Sequence, residues 1–370
     1  MGQAPSGDAY NDLREGWPLI AGAGDFGDGV PEPKKFTTKA SKLSFEGDIV
    51  LGIRASIGEK VLADSEYCLG RGVAGLRPLE RLNNRYLWHW LTFAKRELGS
   101  RGKGATFKQV NREDIGSLEV PLPPLAEQCR IAVILDLVDA LRAKRRESIA
   151  RLESLTQSVF QEMFGDVVWP STTVGQVADV QVGLQVTSAR SSCELVAPYL
   201  RVANIYRLAL NLREIKTIRL SPAELSRTIL QQEDLLVVEG HGNPREIGRS
   251  ALWDGSISGC VHQNHLIRCR FDRARVSPAF AAEYLNSDEG RKFLLRGAKT
   301  TSGLNTISSS QVRSTPLLLP PLALQQEFAS RVGKIETLKA SHRAHLAELD
   351  TLFASLKCQA FSGEPATATS

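Results

Sequence analysis

The chain lacks the features that mark membrane-spanning and secreted proteins. No apolar run approaches the roughly 18 residues of a membrane span, and the start, MGQAPSGDAY, has neither the basic residues nor the apolar stretch of a secretory signal. The six cysteines lie far apart and never at CxxC spacing, which in 370 residues indicates reduced thiols. We therefore expect a cytoplasmic protein with no membrane association and no disulfide bond.

Strong charge and catalytic motifs are also missing. A net charge of +5 and a pI near 8.9 fit a polyanionic partner without requiring one. The glycines of residues 22–29 lack both the strand-then-helix context and the GKS/T ending of a nucleotide-binding loop. No local motif marks a serine, histidine and acid triad, so we expect no catalytic residue in this chain.

The stretch CVHQNHLIRC at residues 260–269 is the nearest approach to a metal site. If its first half is a strand, the alternation of side chains directs its two histidines to opposite faces, which disfavours zinc. Asparagine and glutamine can form paired hydrogen bonds with adenine, so the same stretch suits reading of DNA bases. A loop that hydrogen-bonds to itself would use the same residues. The residues concerned are Cys260, His262, Gln263, Asn264, His265 and Cys269.

A proline-rich motif occurs twice. VPLPPLAEQ at 120–128 and LLLPPLALQ at 317–325 agree at six of nine positions with an offset of 197. Apolar residues then recur in a seven-residue pattern, which predicts a long helix with a coiled-coil seam. A helix from about 126 to 163 would be about 55 Å long at 1.5 Å per residue. We expect these residues to start the helices and to contribute to partner docking: Pro124, Leu125, Gln128, Pro321, Leu322 and Gln325.

Polar residues interrupt both seams near the middle. The interruptions are Arg142 and Arg145 in the first seam and Lys339 and His342 in the second, and they correspond under the same offset. Antiparallel pairing of the copies would bring these residues together, where polar seam positions set register or partner choice. Long side chains that reach solvent from the seam would explain the pattern equally well.

A block of mixed pattern precedes each long helix. Residues 45–98 and 231–295 both run from an acidic turn through a short apolar strand, a glycine-rich loop with an arginine and a cysteine-led strand to a helix. The predicted class is α+β, with two mixed α/β domains separated by two long antiparallel helices in an internal repeat. The expected boundaries are 1–124 and 167–320 for the domains, 125–166 and 321–362 for the helices, and 363–370 for a flexible tail.

Basic loops follow both blocks. Residues 95–112 carry six cations against one acid, and residues 291–313 carry five cations and no acid. Small residues beside cations let a backbone approach a phosphate closely. A solvated basic loop is the alternative, but the recurrence in both halves favours phosphate contact. The Trp-His-Trp sequence at 88–90 is interpreted as core aromatics, with base stacking as the alternative.

The candidate DNA-binding residues lie in both blocks. Lys103 and Lys108 are expected to contact phosphates, and Arg54 and Arg71 are expected to enter a groove. The candidates in the second block are Arg245, His262, Gln263, Asn264, Lys299 and Asn305.

The order of these motifs resembles the DNA-specificity (S) subunit of type I restriction-modification systems over nearly the whole chain. The first half carries GDFGDGVPEPKKF (24–36), GDIVLGIRASIG (47–58), GRGVAGLRP (70–78) and PLPPLAEQCRI (121–131). The second carries VGQVADVQVGLQVTS (174–188), YLRVANI (199–205), VHQNHLIR (261–268) and LLPPLALQQEF (318–328). The resemblance implies a non-catalytic subunit in which two target-recognition domains read the halves of a split, asymmetric site in double-stranded DNA.

The same resemblance implies partners. The long helices would dock two modification (methyltransferase) subunits, and restriction subunits would join the larger complex. No cofactor is expected in this chain, because S-adenosylmethionine, ATP and magnesium would belong to the partners. Two alternatives remain open: a targeting subunit of a fused methyltransferase-nuclease system, and a coiled-coil scaffold that binds no DNA.

The two blocks differ at their openings. STTVGQVADVQVGL at residues 171–184 opens the second block, whereas the first has no counterpart ahead of its Met1-Gly2-Gln3. Either the sequence starts too late or the first domain lacks an opening strand, and a missing strand would expose a sheet edge.

Overall fold

Two units, each built on short sheets and parts of the two longest helices, make up the chain. The first comprises Met1–Ser148 with His342–Ser370, and the second comprises Ile149–Ser341. The computed structural model describes residues 1–104, 107–165, 167–296, 299–301 and 304–362, with backbone alone at 299–301 and 304. The expected tail, residues 363–370, lies outside the described residues. Within them, no helix has the length and apolar character to cross a membrane.

The first unit begins with short strands and ends on a long helix. Its strands are β1 (Tyr10–Asn11), β2 (Trp17–Ile20), β3 (Lys35–Thr37), β4 (Leu43–Ser44), β5 (Ile49–Gly52), β6 (Lys60–Leu62), β7 (Tyr67–Leu69) and β8 (Val73–Leu76). Its helices are α1 (Asn84–Ser100), α2 (Arg112–Gly116) and the start of α3 (Leu125–Phe164). Short 3₁₀ helices occur at Gly7–Ala9 and Ala23–Asp25. The strands form two sheets in the orders β1-β3-β2-β7-β4 and β6-β5-β8.

The second unit has more strands. They are β9 (Ser171–Thr173), β10 (Ala178–Val182), β11 (Leu195–Leu200), β12 (Ile205–Tyr206), β13 (Ala209–Leu210), β14 (Lys216–Leu220), β15 (Leu235–Val238), β16 (Gly240–His241), β17 (Ser250–Leu252), β18 (Val261–His262), β19 (Leu266–Phe271), β20 (Lys299–Thr301), β21 (Leu304–Thr306) and β22 (Pro316–Leu318). The helices are α4 (Val174–Val177), α5 (Pro222–Thr228), α6 (Pro278–Asn286), α7 (Asp288–Arg296), α8 (Ser309–Ser314) and α9 (Leu322–Phe361). Short 3₁₀ helices occur at Ser188–Ser192, Val202–Asn204 and Pro244–Glu246. The main sheet has the order β10-β19-β15-β17, beside sheets β14-β11-β18, β16-β21-β20, β22-β9 and β12-β13. The predicted α+β class is confirmed.

The long helices pair in antiparallel fashion within each unit. In the second unit the Phe164 ring, at the end of α3, lies 5.5 Å from the Phe328 ring near the start of α9. In the first unit Leu135 and Val138, from the start of α3, share a core with Phe353 and Phe361 from the end of α9. The four polar seam residues named from the sequence, Arg142, Arg145, Lys339 and His342, are all buried or half-buried.

The polar interruptions of the seams make ion pairs and one contact between equivalent residues. Arg145 Nη1 lies 3.1 Å from His342 Nδ1, so residues separated by the repeat offset contact each other as antiparallel pairing requires. Arg142 bonds through Nε to Asp350 at 2.6 Å and through Nη1 to Asp139 at 2.6 Å. The guanidinium of Arg142 is therefore neutralised by carboxylates from both helices.

One glutamine joins each long helix to the domain before it. Gln128 is fully buried, and its Oε1 accepts the Asn83 backbone N–H at 2.8 Å, just where α1 begins. Its Nε2 donates to the carbonyls of Pro123 at 2.8 Å and Arg81 at 3.0 Å. The side chain thereby satisfies one buried donor and two acceptors that would otherwise lack partners.

Gln325 repeats this arrangement in the second unit. It is also fully buried, accepts the Ser277 backbone N–H at 2.9 Å where α6 begins, and donates to Pro320 O at 2.8 Å and Arg275 O at 3.3 Å. The docking role predicted for the two glutamines is therefore corrected to an internal one, because neither side chain has surface to offer a partner. Pro124, Leu125 and Pro321 are exposed and Leu322 is half-buried, so their docking role stays a prediction.

The units differ at their opening segments. In the second unit β9 pairs with β22, and β10 covers the outer side of β19. In the first unit β8 pairs with β5 alone and forms the edge of its sheet. An edge strand leaves backbone N–H and C=O groups unpaired in the ladder.

Candidate nucleic-acid interface

Three loops of the first unit meet around Ile53. Its backbone N–H donates to Gly72 O at 3.0 Å, in the loop between β7 and β8, and its carbonyl accepts the Val110 N–H at 3.0 Å. Arg54 forms a bridge with Gln109, as does Lys103. The loops that follow β5, β7 and α1 thus form a continuous surface held by backbone hydrogen bonds.

Four of the predicted DNA-binding residues lie on these loops. Arg54, Arg71, Lys103 and Lys108 are all exposed, and none forms an ion pair with a described residue. Phe107, beside Lys108, is 63% exposed. Cations with no internal carboxylate remain available to neutralise an external anion, as phosphate contact requires. Their roles in contacting DNA stay predictions.

The second unit joins the same three loops in the same way. Here Glu239 takes the place of Ile53: its N–H donates to His265 O at 3.0 Å, and its carbonyl accepts the Ile307 N–H at 2.8 Å. β16 pairs with β21 of the hairpin that follows α7. The internal repeat therefore extends from the helices to the loop surface of each unit.

The predicted residues of the second unit are less uniformly placed. Gln263 and Asn264 are half-buried in the loop after β18, and Asn305 is half-buried on β21. Arg245 is exposed on the loop between β16 and β17. Lys299 belongs to β20, but its side chain lies outside the described residues.

The structure contradicts the role predicted for His262. The side chain is fully buried, with Nδ1 3.2 Å from Thr228 O and Nε2 3.3 Å from Gln181 O. Burial lowers the pKa of His262 to about 4. A base cannot reach this ring, because β18 is covered by neighbouring elements that no periodicity in the sequence reveals. The neighbouring His265 is exposed and places Nδ1 3.1 Å from Glu239 Oε2.

The cysteines of the same stretch are core residues. Both side chains are buried, and burial raises the pKa of Cys260 and of Cys269 to about 12. Among the described residues, no group of three or more histidine, cysteine, aspartate and glutamate side chains is placed to hold a metal.

Part of the basic stretch 291–313 is internal. Arg291 is buried, and Arg313 Nη2 donates to the carbonyl of Val180. Fewer cations of this stretch face solvent than the sequence predicts, because long arginine side chains can hydrogen-bond to backbone carbonyls inside the unit. The Trp-His-Trp sequence also packs inward: His89 is buried, with Nε2 2.7 Å from Asp136 Oδ1 on α3, and Trp90 is buried beside it.

An apolar stripe on α3 was not found from the sequence. Val133, Leu137 and Leu141 follow each other at four-residue spacing, which places them on one helix face, and they are 67%, 61% and 40% exposed. The heptad pattern predicts only the face of the helix that packs against α9. Adjacent exposed apolar residues of this kind mark an interaction surface.

Comparison with known proteins agrees with this architecture. Residues 24–153 match the Type I restriction modification DNA specificity domain family. The chain is 34% identical over 160 residues to the putative type I restriction enzyme MjaX specificity subunit of Methanocaldococcus jannaschii, covering 43% of this chain and 38% of that protein. It is 26% identical over 367 residues to the type I restriction enzyme StySPI specificity subunit of Salmonella potsdam, covering 90% and 77%.

The fold is similar to that of the type I restriction-modification S subunit from M. genitalium, with a TM-score of 0.57 and 16% identity over 98% of this chain and 93% of the other. The chain thus spans about two fifths of the M. jannaschii relative and about three quarters of the Salmonella relative. These matches together show a type I restriction modification DNA specificity domain at residues 24–153 and a likeness of most of the chain to specificity subunits of type I restriction enzymes.

Proposed function

We propose that the chain gives a type I restriction-modification complex its DNA sequence specificity by reading a two-part, asymmetric site in double-stranded DNA. Each unit would read one part through its three joined loops. The halves would differ because the two surfaces carry different side chains, and the target therefore need not be palindromic. In this proposal the chain acts in the cytoplasm as the non-catalytic subunit.

The repeated loop surface is the observation that carries the proposal. Ile53 and Glu239 make equivalent pairs of backbone bonds, and in the first unit the surface so formed exposes four unpaired cations. Phosphate contacts position a protein on the duplex, and side chains that reach base edges select the sequence. A scaffold without nucleic acid would have no need for the same loop assembly in both halves.

We assign residues 1–124 and 167–320 to target recognition and residues 125–166 and 321–362 to the spacer. The helices α3 and α9 have 40 residues each, which corresponds to about 60 Å at 1.5 Å per residue. One turn of B-DNA is about 34 to 36 Å long, so helices of this length suit a target whose two parts are separated by unread bases.

The exposed stripe on α3 is the proposed docking surface for a modification subunit. Val133, Leu137 and Leu141 would be covered by an apolar helix face of that partner. Two modification subunits and the restriction subunits would complete the assembly. S-adenosylmethionine, ATP and magnesium would be bound by those partners rather than by this chain.

The test is selection of DNA by the complex. The chain is co-expressed with the methyltransferase encoded beside it, purified, and used to select from a pool of random duplexes at fixed salt. We expect two short fixed motifs separated by a constant number of unspecified base pairs. A complex that enriches no motif would contradict the proposal.

Matched variants test the basic surface. Lys103→Gln with Lys108→Gln should leave the selected motifs unchanged and lower the slope of log K against log salt by up to about two, since each phosphate contact contributes about 0.9. Lys34→Gln with Lys35→Gln removes the same charge from exposed positions elsewhere in the unit. Equal slopes for the two double variants would show that the loop cations do not contact phosphates.

A further inference from the structure

An arginine cluster lies at one side of the loop surface in the second unit. Arg207 is at the tip of the β12–β13 hairpin, where its Nη1 donates to Asn286 O at 3.1 Å and its Nη2 donates to Arg245 O at 3.3 Å. Arg291 Nη2 donates to the same Arg245 carbonyl. Two guanidinium groups therefore hold the backbone of a loop whose own side chain, Arg245, is exposed.

The cluster has more positive charge than the described carboxylates neutralise. No described carboxylate forms an ion pair with Arg207, Arg245 or Arg291. Glu246 forms its ion pair with Arg249 at 2.7 Å, and the charges of Glu246 and Asp288 oppose only part of the fall in the Arg291 pKa.

Arg291 adds a buried positive charge to the cluster. Its side chain is buried, its Nε has no hydrogen-bond partner among the described residues, and burial followed by repulsion from Arg207 lowers its pKa. A guanidinium that is buried without a carboxylate is costly unless another anion approaches. Arg207 binds the same Arg245 carbonyl as Arg291 does, and the side chains of Arg207 and Arg245 are exposed, so an external anion can approach these two.

The described residues of the first unit form no equivalent cluster. Equivalent hydrogen bonds identify the matching segments of the two units. In the first unit the Ala21 N–H donates to Asp25 Oδ2 at 2.8 Å, and in the second the Arg201 N–H donates to Asn204 Oδ1 at 2.9 Å. A hairpin follows in both units. The tip of the first hairpin carries Asp28 where the second carries Arg207. An acidic tip would repel a phosphate, so the feature belongs to one half of the molecule.

We propose that Arg207 and Arg245 bind one backbone phosphate of duplex DNA, beside the bases that the second unit reads, while the buried Arg291 holds the Arg245 carbonyl and adds its positive charge. The inference rests on the proposed function and adds to it a contact made by one unit alone. Guanidinium groups suit this task because their planar donors match two phosphate oxygens at once. The loop of Arg245 also contains β16, which pairs with β21 of the loop surface, so the phosphate would lie next to that surface.

The experiment measures binding of the full chain to a random 40-base-pair duplex by fluorescence anisotropy over a range of salt. The double variant Arg207→Gln, Arg245→Gln should lower the salt slope by about one in total, because both side chains bind the same phosphate. Arg245→Gln alone should lower it without disturbing the loop, since the Arg245 side chain supports no described neighbour. Arg227→Gln, an exposed arginine on α5, is the matched control and should leave the slope unchanged.

A second arm identifies the anion. Single methylphosphonates, which carry no charge, are placed in turn along a duplex that contains the selected target. The wild type should lose affinity at one position beside the second motif, and the double variant should not. An unchanged salt slope in the double variant overturns the inference, as does competition by inorganic phosphate without any methylphosphonate effect. A wild type that binds no duplex would refute the proposed function instead.

Discussion

The buried glutamine of each proline motif leads to a sharp prediction about stability. Gln325 is fully enclosed and makes three hydrogen bonds, to Ser277 N, Pro320 O and Arg275 O. Replacement by leucine keeps the approximate volume and removes all three bonds. The buried N–H of Ser277, the buried carbonyl of Pro320 and the partly buried carbonyl of Arg275 then lose their partner.

The expected loss follows from these bonds. Each hydrogen bond contributes about 0.5 to 1.5 kcal/mol net, and an unsatisfied buried group costs about 1 to 3 kcal/mol. At the lower value of about 1 kcal/mol for each of the three groups that lose their partner, Gln325→Leu should lower the free energy of unfolding by about 3 kcal/mol or more. Gln325→Glu places an oxygen against the two carbonyls, so its carboxyl must stay protonated, and the loss should grow as pH rises above about 5.

Urea unfolding of the full chain, followed by far-ultraviolet circular dichroism, measures both effects. The neighbouring Gln326 is exposed, and Gln326→Leu should change the free energy of unfolding by no more than about 0.5 kcal/mol. If Gln325→Leu and Gln326→Leu proved equally stable, the glutamine would not join helix and domain as described.

Three further predictions concern other sites. Burial, followed by repulsion from Glu336, raises the pKa of Glu283 to about 7. The folded state therefore binds this proton more tightly than the unfolded state, and the free energy of unfolding falls as pH rises from about 4.5 to 7. In urea titrations Glu283→Gln should remove most of that fall, whereas Glu289→Gln at an exposed site should not. Leu137→Asp should abolish co-purification with the modification subunit while leaving the chain folded, and retention of the complex would exclude the α3 stripe as the docking surface. Glu233 has a φ of +70° in the turn before β15, so Glu233→Gly should raise the free energy of unfolding by about 0.5 to 1 kcal/mol. A lower free energy of unfolding would show instead that the exposed ion pair between Glu233 and Arg273 outweighs the backbone strain.

The long helices could be predicted because their signals are local. Proline restricts where a helix starts, and heptad spacing assigns one face to the partner, so Leu125–Phe164 and Leu322–Phe361 lie close to the expected bounds. The heptad pattern did not predict the exposed Val133 and Leu137, because it accounts only for the apolar residues that face the partner helix.

The loop surface was predictable in part. Arg54, Arg71, Lys103 and Lys108 were identified by charge and by glycine-rich context, and backbone bonds to Ile53 bring their loops together. The DNA-binding role predicted for His262 was wrong, because a polar side chain was assumed to be exposed. A histidine in a covered strand can hydrogen-bond to carbonyls from distant segments, and the sequence contains no signal for those segments.

The sequence by itself determined the internal repeat, the two long helices and the likeness to specificity subunits, since periodicity, proline position and motif order are properties of neighbouring residues. Only the tertiary structure decided which polar groups are used internally and which face solvent. Gln325 and Arg291 are both polar in sequence and both buried in the fold, one with every bond satisfied and the other without a carboxylate. That difference depends on backbone groups contributed from distant parts of the chain, and folding alone brings them together.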